Sequence, residues 1–494
     1  MFKEYTQYDA IGLAELIQKK EVSKEEVTEA AIAMIEKHNP QLNAVVYKQY
    51  EEARTAVNSL PNGPLHGVPM LLKDLLGEQK GHPSTSSCPP LADIKAAENS
   101  EIVTRFQQSG LNIIGRTNTP QLGIYGVTES EWRGPCHNPW NTKHTPGGSS
   151  GGSACAVAAG MVPIAHAGDG GGSIRIPAAH CGLVGLKASR GRQPSGPYRG
   201  ERWNGLVAEG VVTRSVRDTA LALDITSGGD LGAPYASPAP DSFLEGLKEK
   251  PKSLKIAFTS RALYGDDTDP DNQKALEHTV KLLRELGHTV EEACPEYDQA
   301  AMTRAYYLTV STGVALGVKQ MQEKLGRKLK EAELELSTWA LQTIGETISA
   351  AEYSYNIDIM HRETRRVAQF FTQYDVFLTP TAALPPVQIG QFKLPKRDQL
   401  QIKILKRLPI EALINKALDV MATKAIRATP NTMLFNQTGQ PAISVPLYWN
   451  ENNLPIGSQL VGGFGQEKRL LQLAAQLEEA QPWWDRYQKL EILG

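Results

Sequence analysis

The chain has little of what would tie it to a membrane, a metal or a nucleic acid. Its five cysteines (Cys88, Cys136, Cys155, Cys181 and Cys294) are scattered, odd in number and form no Cys-x-x-Cys pair. That argues against a disulfide framework or a zinc site and predicts a reducing compartment, the cytoplasm. There is no uninterrupted apolar run of about 18 residues, so no membrane-spanning helix is expected. The opening Met1-Phe-Lys-Glu-Tyr-Thr-Gln7 is polar and lacks a signal-peptide core. Neither sign of charge dominates, with 52 Lys and Arg against 54 Asp and Glu. No nucleic-acid partner is expected from that balance, nor steering of a charged macromolecule. No internal repeat, low-complexity tail or Gly/Ser linker is present.

What the chain does have is length, glycine and short apolar runs. Its 494 residues would by length alone suggest two or three domains. Without a linker, one large α/β domain over 1–494 is the better expectation. The N-terminal part, about 1–60, is predicted helical. Leu13, Leu16 and Ile17 make one apolar stripe, and Ser23-x-x-Glu26 is a capping box opening a second helix. Asn39-Pro40 is expected to stop that helix. Val68–Leu72, Leu111–Ile114 and Val162–Ala165 read as buried strands, and Ala154–Gly160 as a small-residue helix. Leu254–Phe258, Asp271–Leu286 and His288–Glu292 alternate strand, helix, strand, which is the pattern of α/β layering. Residues 303–372 are mostly helical by pattern. Asp375–Leu378 and Ala442–Val445 read as late core strands. Residues 383–430, rich in Lys, Leu and Ile and broken by prolines, could form a helical flap or a solvated insertion.

Glycine and serine concentrate between Gly147 and Lys187. The stretch Gly147-Gly-Ser149-Ser150-Gly-Gly-Ser153 is followed by Asp169-Gly170-Gly171-Gly172-Ser173-Ile-Arg175-Ile-Pro177 and by Cys181-Gly-Leu-Val-Gly-Leu-Lys187. Glycine lets a backbone turn sharply and offer its N–H groups to a ligand. A serine in such a turn needs a base to become a nucleophile. Three arrangements can be weighed. Gly147-x-Ser149-x-Gly151 matches a nucleophile elbow, but the elbow requires a buried strand before it, and Asn141–Pro146 is polar. A phosphate cradle lacks both the Gly-Lys-[Ser/Thr] ending and a Gly-x-Gly-x-x-Gly fingerprint after a strand. A serine relay driven by lysine needs a neutral amine, which burial can provide. Lys73 closes the apolar run Val68-Pro-Met-Leu-Leu72 and could be that amine, or could simply end a strand with its ammonium in water.

Taken together, Lys73, the Ser149 turn, the Asp169–Pro177 segment and Cys181–Lys187 resemble the amidase signature family. Gly115-Arg-Thr-Asn118-Thr-Pro120, Asn138-Pro-Trp-Asn141, Val216-Arg-Asp218, Thr379-Pro-Thr381, Gly439-Gln-Pro-Ala442 and Leu454-Pro-Ile-Gly457 extend the resemblance over most of the chain. It implies a mixed, twisted central sheet covered by helices on both faces. It also implies a Ser–cis-Ser–Lys triad, with Ser173 as nucleophile, Ser149 as bridging serine after a cis peptide bond, and Lys73 as base. The N–H groups of Gly170, Gly171, Gly172 and Ser173 would form the oxyanion hole. Ser150 is expected near Lys73. Asp169 and Arg175 are expected to pair and hold the loop. Ser153 is expected to cap a helix, and Cys181 to pack in the core. No metal and no cofactor are implied. Homodimers are common in the family.

The resemblance implies amide hydrolysis through an acyl-enzyme, releasing an amine or ammonia from a small or oligomeric amide with an uncharged acyl part. Residues about 303–430 are expected to line the pocket. The family also contains the glutaminase component of tRNA-dependent amidotransferases, which works only with partner subunits. Its usual Gly-Thr-Asp-Thr-Gly-Gly-Ser loop becomes Ala167-Gly-Asp169-Gly-Gly-Gly-Ser173 here, with Ile176 in place of glutamine and Lys187-Ala-Ser189 in place of Lys-Pro-Thr. Those departures favour stand-alone amidases, a group that includes hydrolases of the 6-aminohexanoate cyclic dimer. A non-catalytic binding protein on the same scaffold is disfavoured because all three triad positions are filled.

Overall fold

The computed structural model describes residues 2–235, 242–265, 267–393, 395, 397, 399 and 430–490. In chain order, β1 is Val45–Lys48, β2 Pro69–Lys73 and β3 Asn112–Thr117. A two-stranded hairpin follows, β4 Glu129–Ser130 and β5 Gly134–Pro135. Then come β6 Ile164–Asp169, β7 Val184–Lys187, β8 Ala208–Thr213, β9 Lys255–Phe258 and β10 Thr289–Glu292. The last three are β11 Val376–Pro380, β12 Ala442–Trp449 and β13 Pro455–Gly462. Eleven of these strands form one mixed sheet in the order β1-β3-β2-β6-β8-β7-β12-β13-β11-β9-β10. Helices flank both faces, so the chain is a single α/β domain.

The apolar runs that predicted strands sit where the sheet is covered on both sides. All five residues of β2 are buried, and β2 pairs in parallel with β3 and β6. A parallel strand with helices on both faces needs apolar residues at every position, not at alternate ones. At the other end, β9 lies between β11 and β10, parallel to both. The helix Pro270–Glu285 joins β9 to β10 as the strand–helix–strand pattern predicted.

The N-terminal helices form largely as expected. Asp9 caps Ala10–Gln18 by accepting from the Gly12 N–H at 2.9 Å. In Lys24–Leu42 the Ser23 hydroxyl accepts from the Glu26 N–H at 3.1 Å, and Glu26 Oε2 accepts from the Ser23 N–H at 2.9 Å. Pro40, however, does not stop this helix. It lies in the last turn, and the helix ends at Asn43, which is left-handed and donates its N–H to Asn39 O at 2.8 Å. A proline this close to the C-terminus removes one bond without forcing a break.

The helix Gly151–Ala158 is buried along its whole length. Its small residues allow close approach to the ends of β1 and β3: a Cβ at Gly152 would lie 2.7 Å from Ala44 O. Ser153 sits inside this helix and does not cap it. Its hydroxyl donates to His166 O and bonds Thr117 Oγ1, both at 2.7 Å, tying β3 to β6.

Residues 303–372 are helical in Gln299–Leu325, Leu336–Thr347 and Ala350–Phe370. The proposed flap over 383–430 falls largely outside the described residues. Among the described residues no helix is long and apolar enough to cross a membrane.

Candidate active site

Lys73 is the last residue of β2 and is 1% exposed. Its Nζ donates to Ser149 Oγ at 2.8 Å and to Gly168 O at 3.4 Å. Burial lowers its pKa to about 7, against the opposing pull of Asp169 and Glu209. Removing an ammonium from water penalises the charged form, and here that penalty exceeds the attraction of both carboxylates. The strand end is held from behind by Arg116, whose guanidinium donates to Lys73 O and Gly77 O at 3.0 Å each.

Ser149 follows a cis peptide bond from Gly148. A Cβ at Gly148 would lie 2.7 Å from the Val127 backbone, so only glycine allows this approach. Thr119 Oγ1 donates to Ser149 O at 2.8 Å, and Thr128 Oγ1 donates to Gly147 O at 2.9 Å. Ser150 is buried and brackets Gly168: its hydroxyl donates to Gly168 O and accepts from Gly168 N–H, both at 3.3 Å. It therefore shares the Gly168 carbonyl with Lys73. Its own N–H donates to Ser173 O at 3.3 Å, which joins the two serine turns.

The loop from Asp169 to Ser173 is built around one buried ion pair. Arg175 Nε donates to Asp169 Oδ2 and Nη2 to Oδ1, each at 2.9 Å. The remaining donors reach Thr432 O (2.9 Å), Gln459 Oε1 (2.8 Å) and Asn436 Oδ1 (2.6 Å). All five guanidinium N–H groups are thus satisfied without water. Burial pushes the Asp169 carboxyl up, but Arg175 and the Asn436 amide outweigh it and hold the group well below the usual carboxylate range.

One expectation for this loop is corrected. The Gly172 N–H donates to Asp169 Oδ1 at 2.7 Å, so it is not a free oxyanion donor. Gly172 serves the loop by its backbone instead, with φ +131, a value side chains rarely allow. Among the described residues the N–H groups of Gly170, Gly171 and Ser173 meet no protein acceptor. Their carbonyl sides are anchored: Tyr306 OH donates to Gly170 O at 3.2 Å and Thr432 Oγ1 to Gly171 O at 2.6 Å.

Tyr306, Thr432, Asn436 and Trp203 were not singled out from sequence. Asn436 donates to the Asp169 carboxylate (2.8 Å), Asp169 O (2.9 Å) and Leu206 O (3.0 Å). Asn431–Gly439 is rich in polar residues yet wholly buried, a combination that requires dedicated partners and that only the structure shows. Tyr306 carries no such mark, because one tyrosine in a long helix looks like any other. The Trp203 ring fills the space beside Gly170, where a Cβ would come within 2.9 Å of it.

Lys73, Ser149, Gly170, Gly171 and Ser173 all line one cavity of about 1020 Å³. Its far wall comes from the helix Gln299–Leu325 and from parts of 384–395. A desolvated amine hydrogen-bonded to a serine, beside a second serine in a glycine turn, has the parts that a lysine-activated serine nucleophile needs. The amidase family profile matches residues 26–471, and the chain belongs to the amidase signature family. It is an enzyme that hydrolyses carbon–nitrogen bonds of amides.

The 6-aminohexanoate-cyclic-dimer hydrolase of Paenarthrobacter ureafaciens is 35% identical over 490 residues, covering 98% of this chain and 96% of that protein. A solved structure of a 6-aminohexanoate cyclic dimer hydrolase complexed with substrate superposes with a TM-score of 0.88 at 34% identity, over 99% of this chain and 100% of that one. A glutamyl-tRNA(Gln) amidotransferase component from Thermotoga maritima is more distant, with a TM-score of 0.73, 24% identity and coverage of 98% and 97%. It shares the fold, and the cyclic dimer hydrolases share more of the sequence.

Proposed function

We propose that the chain cleaves amides through an acyl-enzyme on Ser173, with Ser149 and Lys73 moving the proton. Neutral Lys73 accepts the Ser149 hydroxyl proton as Ser149 takes the proton of Ser173. Ser173 Oγ attacks the amide carbonyl, and the N–H groups of Gly170, Gly171 and Ser173 receive the oxyanion. The relay then runs backward and protonates the leaving amine. A water activated by the same relay frees the acid and restores Ser173. The observation that carries this reading is the 2.8 Å bond from Lys73 Nζ to Ser149 Oγ, made by an amine whose pKa burial brings to about 7.

Asp169, Arg175 and Ser150 act as positioning residues, since Asp169 and Arg175 pair within the loop and Ser150 brackets Gly168. The likeness to cyclic-dimer hydrolases favours small linear or cyclic amides of short amino acids as substrates. The enzyme needs no amidotransferase partner on this reading, and five cysteines without disulfides suit the cytoplasm.

Labelling with a fluorophosphonate probe tests the roles. Wild type and Ser150→Ala are expected to label, and Ser173→Ala is not. Labelling that survives in Ser173→Ala but vanishes in Ser149→Ala would reverse the two serines. The purified chain alone should turn over simple aryl amides, and the cyclic dimer belongs in the substrate panel. Activity that appears only when partner proteins are added would point to an amidotransferase.

A further inference from the structure

The charge balance of the whole chain hides a local excess in the cavity. Its acids are Glu78 and Asp267, and Glu78 is already engaged by Arg202 at 3.2 Å. Against them stand Arg199, Lys95, Lys324 and Lys393, in addition to Arg202. Among the described residues Arg199, Lys95 and Lys324 make no ion pair. Arg199 is half-buried, and its guanidinium donates to the neutral Gln320 amide oxygen. Burial and the neighbouring Arg202 both disfavour its charge, with Glu78 pulling the other way. Arg199 has a nearby carboxylate but no direct ion pair among the described residues.

The route to these cations is apolar. The helix Gln299–Leu325 starts its cavity face at Tyr306, which touches Gly170. Val310, Val314 and Met321 continue that face and pack in one cluster with Ile94 and Leu91. A Cβ added at Gly317 meets nothing within 4 Å, so this wall has room beside it. The face ends at Gln320 and Lys324, and Gln320 lies 14 residues beyond Tyr306 (320 − 306). That is about 21 Å of helix at ~1.5 Å per residue. Tyr198 OH bonds the backbone of Glu98 at 2.9 and 3.1 Å, which brings the segment carrying Lys95 to the Arg199 loop.

We propose that the cavity selects amides bearing a carboxylate at the far end of an apolar chain, about 16–18 atoms from the scissile carbonyl at ~1.2 Å per extended atom, with Arg199 as its partner and Lys324 and Lys95 at the rim. A methylene chain suits the Val and Met wall, and a planar carboxylate suits a guanidinium fork. The inference rests on amide hydrolysis at Ser173 and adds the class of substrate. A carboxylate on the amine side keeps the acyl part uncharged, and one on the acyl side departs from the uncharged acyl part that the family resemblance implies.

The test pairs p-nitroanilides of straight-chain acids of that length, ending either in carboxylate or in a neutral hydroxymethyl group. A second pair places the same two ends on the amine side of an acetamide. Acetyl-p-nitroanilide is the short reference. Wild type is expected to favour the carboxylate by about tenfold or more in kcat/KM in one of the two series, less so as salt is raised. Arg199→Gln should abolish most of that preference and leave the short anilide unchanged, while Arg199→Lys keeps part of it. Turnover without preference in either series, or a preference untouched by Arg199→Gln and Lys324→Gln together, overturns the proposal alone. No turnover of any substrate and no fluorophosphonate labelling sinks the Ser173 assignment and the proposal with it.

Discussion

The backbone N–H of Gly172 donates to the Asp169 carboxylate, 2.7 Å from Oδ1. The residue beside the proposed nucleophile is thereby part of the loop's internal frame, and the oxyanion hole falls to its neighbours. Asp169 collects this N–H, those of Ile174 (3.2 Å) and Arg175 (3.4 Å), the Asn436 amide and the Arg175 guanidinium. One carboxylate therefore sets the positions of both flanks of Ser173.

Asp169→Asn is expected to lower stability by about 3–5 kcal/mol, because it leaves the Arg175 guanidinium buried without its counter-charge. The pH dependence has a definite sign. A carboxyl whose pKa is lowered on folding stabilises the protein above the unfolded value near 4, and that contribution fades as pH falls through the folded value. Urea unfolding at pH 7 and pH 3 checks this: the gap between wild type and Asp169→Asn should narrow at the lower pH. An equal gap at both would show that Asp169 is not ionised in the fold.

Lys73 predicts two linked pH effects. As base it must be neutral, so kcat/KM should rise with pH through about 7. Lys73→Met should cost about 10²–10⁴-fold and remove that limb. The same depressed pKa makes the wild-type chain less stable at and below pH 7 than well above it, since the unfolded lysine binds its proton more tightly. Lys73→Met should therefore raise Tm more at pH 6 than at pH 9. A uniform Tm change would mean that Lys73 keeps its charge when folded.

Tyr306 and Gly171 are in close contact, and a Cβ at Gly171 would collide with the Tyr306 hydroxyl. Gly171→Ala is expected to lower kcat by about tenfold or more by displacing an oxyanion donor. Tyr306→Phe, which loses the bond to Gly170 O, should cost less. Combining them should recover activity relative to Gly171→Ala, because the missing hydroxyl makes room for the methyl. Simple additivity of the two effects in a double-mutant cycle would show that the contact does not couple them.

Much of the site is legible in the sequence because its groups occur in local motifs. Lys73 ends an apolar run that reads as a buried strand, which makes a desolvated amine possible there, although a strand end with its ammonium in water fits the same run. Ser149 and Ser173 lie in turns whose glycines announce close backbone approach. The partners of Arg175 were not legible: Thr432, Asn436 and Gln459 stand 257, 261 and 284 residues away in sequence. Ser153 was misplaced for a related reason. A serine after two glycines looks like a cap, and only the sheet order, with β2 between β3 and β6, shows that its hydroxyl links two strands across a third.

By itself the sequence determined most strand and helix types and the family, and it singled out the candidate reactive residues, because hydrophobic period, glycine placement and motif chemistry are local properties. Tertiary structure decided which N–H groups of the Gly170–Ser173 loop stay free, how far Lys73 is desolvated, and where the cavity gathers its cations. Those depend on what distant segments bring within a few ångströms, and hydrogen-bond geometry and dielectric are set by that neighbourhood, not by order along the chain.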